Sequence, residues 1–181
     1  MDYMRIQTLA RIAGFSGLLL MAACRDKEPD ALPAPDVTDQ ERKVYVICEG
    51  NMGSGNSALT LYLPGKDSVY EDVFRMANQY ELGDVFLSMT GIGGNYWLCV
   101  NNSDKIVIVD TGDWKVKKEL PLSKPRYIQQ VDAQHGYLSS IFDNKLYTLD
   151  LHLMQVSGSI ALPARNPEGM LLHGNRLYVC A

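Results

Sequence analysis

An all-β fold of repeated four-stranded antiparallel units is what this sequence predicts, and three observations carry the prediction. Gly94-Asn95-Tyr96-Trp97-Leu98, His135-Gly136-Tyr137-Leu138-Ser139 and Gly174-Asn175-Arg176-Leu177-Tyr178 are variants of one phrase, with tyrosines 41 residues apart at 96, 137 and 178. Behind the first two follow Asp104-Lys105-Ile106-Val107-Ile108-Val109-Asp110 and Asn144-Lys145-Leu146-Tyr147-Thr148-Leu149-Asp150, offset by 40. Pro125-Arg126-Tyr127-Ile128 and Pro167-Glu168-Gly169-Met170 then repeat at an offset of 42. A unit of roughly 40–45 residues holding several short strands is the signature of propeller blades, none of which buries its own apolar face without a neighbour. The expected architecture is therefore a partial β-propeller, with about three blades present of an expected seven.

The chain in order begins with a different kind of sequence. Arg5 and Arg11 precede an apolar run from Ile12 to Ala23 that is too short to cross a bilayer as a mature helix, which predicts a secretory signal peptide over 1–24. Leu20-Met21-Ala22-Ala23-Cys24 resembles a bacterial lipobox, with Met21 where leucine is more usual; Cys24 is then the lipidated first residue of the mature protein. Several acyl chains on one cysteine, at about 0.8 kcal/mol per buried CH2, give stable membrane anchoring. Residues 25–42 are polar and include Pro29, Pro33 and Pro35, the composition of an extended tether.

From 43 onward the chain reads as strands. Lys43 to Glu49 and Ser57 to Leu63 form a hairpin around the loop Gly50-Asn51-Met52-Gly53-Ser54-Gly55-Asn56, and Ser68 to Phe74 reads as a third strand before a loop over 75–84. The loop's G-x-x-G-x-G order lacks the Lys-Ser/Thr ending of a phosphate-binding loop, and a strand follows where that fold needs a helix. Blade one (43–84) thus shows strands B, C and D. Blade two (85–124) has A to D near 85–91, 95–101, 105–110 and 114–120, and blade three (125–166) near 126–132, 136–141, 145–150 and 154–160. Blade four (167–181) has A near 168–172 and breaks off within B. Propellers close with roughly four to eight blades, so the expectation is an N-terminal part of a longer ring whose far C-terminus supplies the missing first strand.

These repeats resemble the YVTN-type repeats of the YncE-like surface β-propeller family. The resemblance rests on Lys105-Ile106-Val107-Ile108-Val109-Asp110, Val116-Lys117-Lys118-Glu119-Leu120, the Pro125 and Pro167 phrases and Leu177-Tyr178-Val179, and it covers residues 43–181. With the lipobox, and with Asp26 and Glu28 resembling a surface-export signal, it implies an outer-membrane, lipid-anchored propeller lipoprotein. It implies a non-enzymatic binding protein for a small molecule or nutrient, cobalamin-like or a glycan, or for an outer-membrane transporter. The alternatives are a propeller enzyme (lyase, lactonase or quinoprotein-like) with its catalytic residues in other blades, and a scaffold for protein contacts alone.

Loops joining B to C and D to A emerge on one face around the channel mouth. Candidate ligand-binding residues there are Asn51 and Asn56 from blade one, Tyr80 from the next link, and Asn101 and Asn102 from blade two. Arg126 and Asp143 follow from blade three, then Arg165 and Glu168, with Glu49, Asn78, Lys124, Phe142 and Asn166 beside them. Amides, guanidinium forks and aromatics suit a polar small molecule or glycan, although asparagine is also what hairpin turns prefer. Arg126 and Glu168, each next to a repeat proline near the channel, are the better candidates. No cofactor, metal site or catalytic residue is expected. His135, His152 and His173 lack HExxH or CxxC company, and Cys48, Cys99 and Cys180 occupy equivalent places in separate blades, as small buried fillers rather than disulfide partners. A formal net charge of −4, with no basic run beyond Lys115-Val116-Lys117-Lys118, argues against a nucleic-acid partner.

Overall fold

The structure, a computed structural model, describes residues 42–181; the signal peptide, Cys24 and nearly all of the tether lie outside them. Among the described residues thirteen strands follow the predicted order, and one α-helix is added to them. Blade one is β1 (Val44–Cys48), β2 (Ala58–Leu63) and β3 (Ser68–Tyr70), and α1 (Val73–Asn78) follows it. Blade two is β4 (Phe86–Ile92), β5 (Asn95–Val100), β6 (Lys105–Asp110) and β7 (Val116–Pro121). Blade three is β8 (Pro125–Gln130), β9 (His135–Ser140), β10 (Lys145–Asp150) and β11 (Gln155–Ala161), and β12 (Met170–His173) with β13 (Arg176–Val179) begins blade four. Each sheet is an antiparallel meander in chain order, so the fold is all-β with the four-stranded units foreseen.

The period extends to details that sequence does not display. The C–D pairings of blades two and three shift register at Ile108/Val109 on β6 and Thr148/Leu149 on β10, again 40 residues apart, and the A–B pairings at Phe86/Ser88 and Pro125/Ile128. A residue with left-handed backbone precedes each A strand: Val85 (φ 57°), Lys124 (φ 47°) and Asn166 (φ 58°). The turned carbonyls of Val85 and Lys124 accept the amides of Asn101 and Ile141, which ties each B–C loop to the start of its own blade. For a β-branched residue such as Val85 that conformation is an outlier, held by the pairing around it.

Alternation along blade two explains why it is the centre of the core. Trp97 and Cys99 on β5 with Ile106 and Ile108 on β6 face blade three and meet Ile128, Leu138 and Leu149. Leu98, Val100, Val107 and Val109 point the other way, onto Leu59, Phe74, Leu82 and Phe86. Both faces of this sheet are therefore apolar and buried, whereas β11 is exposed along its length. A strands of adjacent blades are tied by side chains: Ser88 donates to the Arg126 carbonyl (2.5 Å) and Thr90 to that of Ile128 (3.3 Å).

Two expectations are corrected. The third strand ends at Tyr70 rather than Phe74, and much of the expected loop over 75–84 is replaced by α1. Asp72 caps the helix by accepting the Arg75 amide, and Val73 and Phe74 are buried against blade two. Six residues make under two turns, too few to show a helical period, and Val73-Phe74 reads locally as strand. The cysteines also differ from expectation. Only Cys99 is a buried filler, its thiol pushed up to about 12 by burial, while Cys48 and Cys180 are exposed; all three are free.

Candidate functional site

The B–C and D–A connections of blades one to three converge at one end of the sheets and enclose a pocket of about 410 Å³. Its floor is aliphatic, made by Val85 and Leu87 at the start of β4 and by Ile141 after β9. Asn101, Asn102, Lys124 and Arg126 supply polar groups from blades two and three, and Glu49 does so from blade one. Met52 and Phe142 stand at the rim, 78% and 66% exposed, from the blades on either side of blade two.

The polar groups from blades two and three are each held by a partner. The Nε of Arg126 donates to Glu168 Oε2 at 2.7 Å across the blade three to blade four boundary. The two residues singled out in the sequence thus meet each other, and the guanidinium is fixed in place. Lys124 donates through Nζ to Asn102 Oδ1 (2.9 Å) and lies 3.4 Å from Asp104 Oδ1. Asn101 is buried and donates to the Pro125 carbonyl (3.1 Å), so its amide serves to join two blades.

Asp84, which is not among the candidates legible in the sequence, anchors the glycine loop. Its Oδ2 accepts the Gly53 amide at 2.7 Å and the Asn102 side-chain amide at 2.5 Å, while Oδ1 is buried and lacks a hydrogen bond. The glycine loop, which lacks the ending of a phosphate-binding loop, holds the chain's own Asp84 carboxylate. The available signal was an acid immediately before an A strand, opposite three loop glycines. Asn102 foremost holds the Asp84 carboxyl below the usual range; burial opposes this, and the Gly53 and Gly55 amides and the Lys124 charge add to the lowering.

A depressed folded value means that the ionised seat stabilises the fold above the carboxyl's unfolded pKa, and that this contribution is lost as pH falls through the lower folded one. Acidification through that lower folded value, itself under the ordinary aspartate value of about 3.9, should therefore free the loop. Amide-resolved NMR titration is expected to show Gly53 and Asn102 moving together with an apparent pKa below that of an exposed aspartate. An ordinary aspartate value there would contradict the assignment.

The other predicted residues take supporting places. Asn51 and Asn56 bond to each other within the loop, the Asn51 amide donating to Asn56 Oδ1 (2.8 Å). Tyr80 packs edge-on to Phe74 and reaches Glu119 on β7 (3.4 Å), outside the pocket lining. Asp143 accepts the Tyr147 hydroxyl at 2.8 Å; burial alone would raise its carboxyl, but Tyr147, the Asn144 amide and Lys145 outweigh that and lower it. Arg165 Nη2 donates to the Phe142 carbonyl (3.3 Å), and Asn166 Oδ1 accepts the Phe142 amide (3.0 Å). Asn78 lies elsewhere, its side chain donating to the Phe74 and Trp114 carbonyls and accepting the Val116 amide.

A larger hollow of about 670 Å³ lies beside β2 of blade one, bordered by Thr60, Val69, Asp72, Arg75 and Glu81. Its one cation is already engaged, since Arg75 pairs with Asp72 (3.5 Å) and Glu81 (3.2 Å). Among the described residues no three His, Cys, Asp or Glu side chains are grouped as metal ligands would be.

No protein-family model matches the chain, and no curated protein does. Among solved structures it is similar to hydrazine synthase of Kuenenia stuttgartiensis, with a TM-score of 0.51 and 18% identity over 61% of this chain and 31% of that one. It also matches apo AztD from Citrobacter koseri, with a TM-score of 0.48 and 16% identity over 77% of this chain and 38% of that one. The chain spans less than a third of the first structure and 38% of the second. The first likeness speaks to fold alone and agrees with the strand order: a β-propeller-type architecture.

Proposed function

We propose that this protein is a lipid-anchored outer-membrane propeller of the YncE-like kind, working as a non-enzymatic binding protein with its ligand at the channel-end pocket. The observation that carries this reading is the convergence of loops from three blades on one concavity of about 410 Å³, with donors over an aliphatic floor and two exposed apolar side chains at its rim. Such a surface offers orientation and contact without an acid-base pair, which is what a binding protein needs. A nutrient held there would be presented beside an outer-membrane transporter, the partner that a surface anchor would serve.

Two measurements test the reading. Calorimetric titration of the full-length protein with cobalamin and with glycans should give saturable heat with one of them; no heat from any ligand would remove the binding function. Cys24→Ala should move the protein from the membrane to the soluble fraction, and the mature wild-type N-terminus should carry acyl mass on Cys24. An unacylated Cys24 would remove the anchor.

A further inference from the structure

The geometry points to a flat, conjugated molecule bearing a carboxylate or phosphate as the guest of the channel-end pocket, its ring against Phe142 and its anionic group at Lys124 and Arg126. This inference rests on the binding reading above and narrows it.

Phe142 is presented rather than packed. Its backbone is left-handed (φ 71°), a conformation unfavourable for a bulky residue. It is kept there by Asn166 on its amide and Arg165 on its carbonyl. The ring is 66% exposed at the rim of the pocket, and among the described residues no other aromatic ring pairs with it. An exposed ring on a backbone pinned from both sides is a stacking platform whose ordering precedes ligand arrival. Met52, from the blade on the other side, adds a polarisable thioether that adapts to a ring face.

On the pocket lining the charged groups of the blade three end are both cations, each already paired with one carboxylate, Arg126 with Glu168 and Lys124 with Asp104. Glu168 takes the Nε edge of Arg126 and the guanidinium lies 6.0 Å from the Tyr127 ring centroid, while its two terminal nitrogens make no hydrogen bond among the described residues. Those nitrogens are a fork matched to an oxyanion. Lys124 keeps a proton beyond its two acceptors. Glu49, the one carboxylate on the lining, comes from blade one, so an anionic group is favoured only at the blade three end. Val85, Leu87 and Ile141 below offer no hydrogen bonds from their side chains; a hydroxyl-rich sugar laid over them would leave polar groups unpaired, whereas a conjugated ring would not.

Fluorescence polarisation of flavin mononucleotide with the full-length protein tests this, with riboflavin as the uncharged counterpart and glycans as hydroxyl-rich competitors. Saturable binding of the mononucleotide is expected, with riboflavin about tenfold weaker. Phe142→Ala should weaken both flavins about tenfold, as loss of a stacked ring does, and Phe142→Tyr should restore them. Lys124→Gln should weaken the mononucleotide and leave riboflavin unchanged. The inference is overturned if the mononucleotide does not bind, if Phe142→Ala has no effect, or if Lys124→Gln affects both flavins equally. Heat from cobalamin or a glycan without flavin binding defeats this inference and spares the binding reading; silence from every probe defeats both.

Discussion

Trp97→Ala is expected to lower the unfolding free energy by about 3–5 kcal/mol, while Trp97→Phe should stay within about 1.5 kcal/mol of the wild type. Trp97 is 1% exposed and sits between blades two and three among Ile106, Ile128, Leu138 and Leu149. Removing it opens a cavity walled by two sheets whose backbones are held by their own ladders and by the Ser88 and Thr90 bridges, so the site has little room to collapse. Its indole nitrogen is buried without a hydrogen-bond partner. Phenylalanine loses contact area but also removes that unpaired donor, whose burial costs roughly 1–3 kcal/mol. Urea unfolding followed by circular dichroism reads both changes as shifts in midpoint at constant slope. Equal losses in the two variants would show that the indole nitrogen is not stranded.

Gly50→Ala is expected to disorder the rim of the pocket, and Gly53→Ala to disturb it much less. Both glycines have left-handed backbone, φ 77° and 81°, so both substitutions carry the roughly 1–2 kcal/mol penalty of that conformation. They differ in what a methyl group meets. At Gly50 it would lie 2.5 Å from Asn56 Oδ1 and 2.9 Å from the backbone of Asn56 and of Ser57, whereas at Gly53 it meets nothing within 4 Å. Ser57 cannot yield cheaply, because its amide donates to the Gly83 carbonyl and its hydroxyl accepts the Phe86 amide. The clash is therefore passed to the loop carrying Met52 and to the seat at Asp84. Ligand affinity should fall more than tenfold in Gly50→Ala and by no more than a few-fold in Gly53→Ala, with hydrogen exchange of the loop amides rising in the first. Comparable behaviour of the two would mean that the close approach at Gly50 has no role in shaping the site.

Particular elements show what was legible. Strands β6 and β10 match the expected 105–110 and 145–150, because each sits at a fixed place in a repeat whose apolar positions must recur for blades to pack. Helix α1 was not legible, since its two buried residues are adjacent and its cap is a single aspartate. Arg126 and Glu168 were readable as candidates from their neighbouring prolines, but not as a pair, since 42 residues separate them. Asp84 was overlooked because its partners, 31 residues before it and 18 after, have no local relation to it.

The sequence by itself determined the all-β fold of four-stranded antiparallel units, because strand alternation and a 40-residue period are properties that every repeat must satisfy. Only the tertiary structure decided that Asp84 seats the glycine loop, that Glu168 orients Arg126, and that Phe142 stands exposed over an aliphatic floor. Those relations join side chains from different blades, and a hydrogen bond between them is set by blade packing, which residue order alone does not encode.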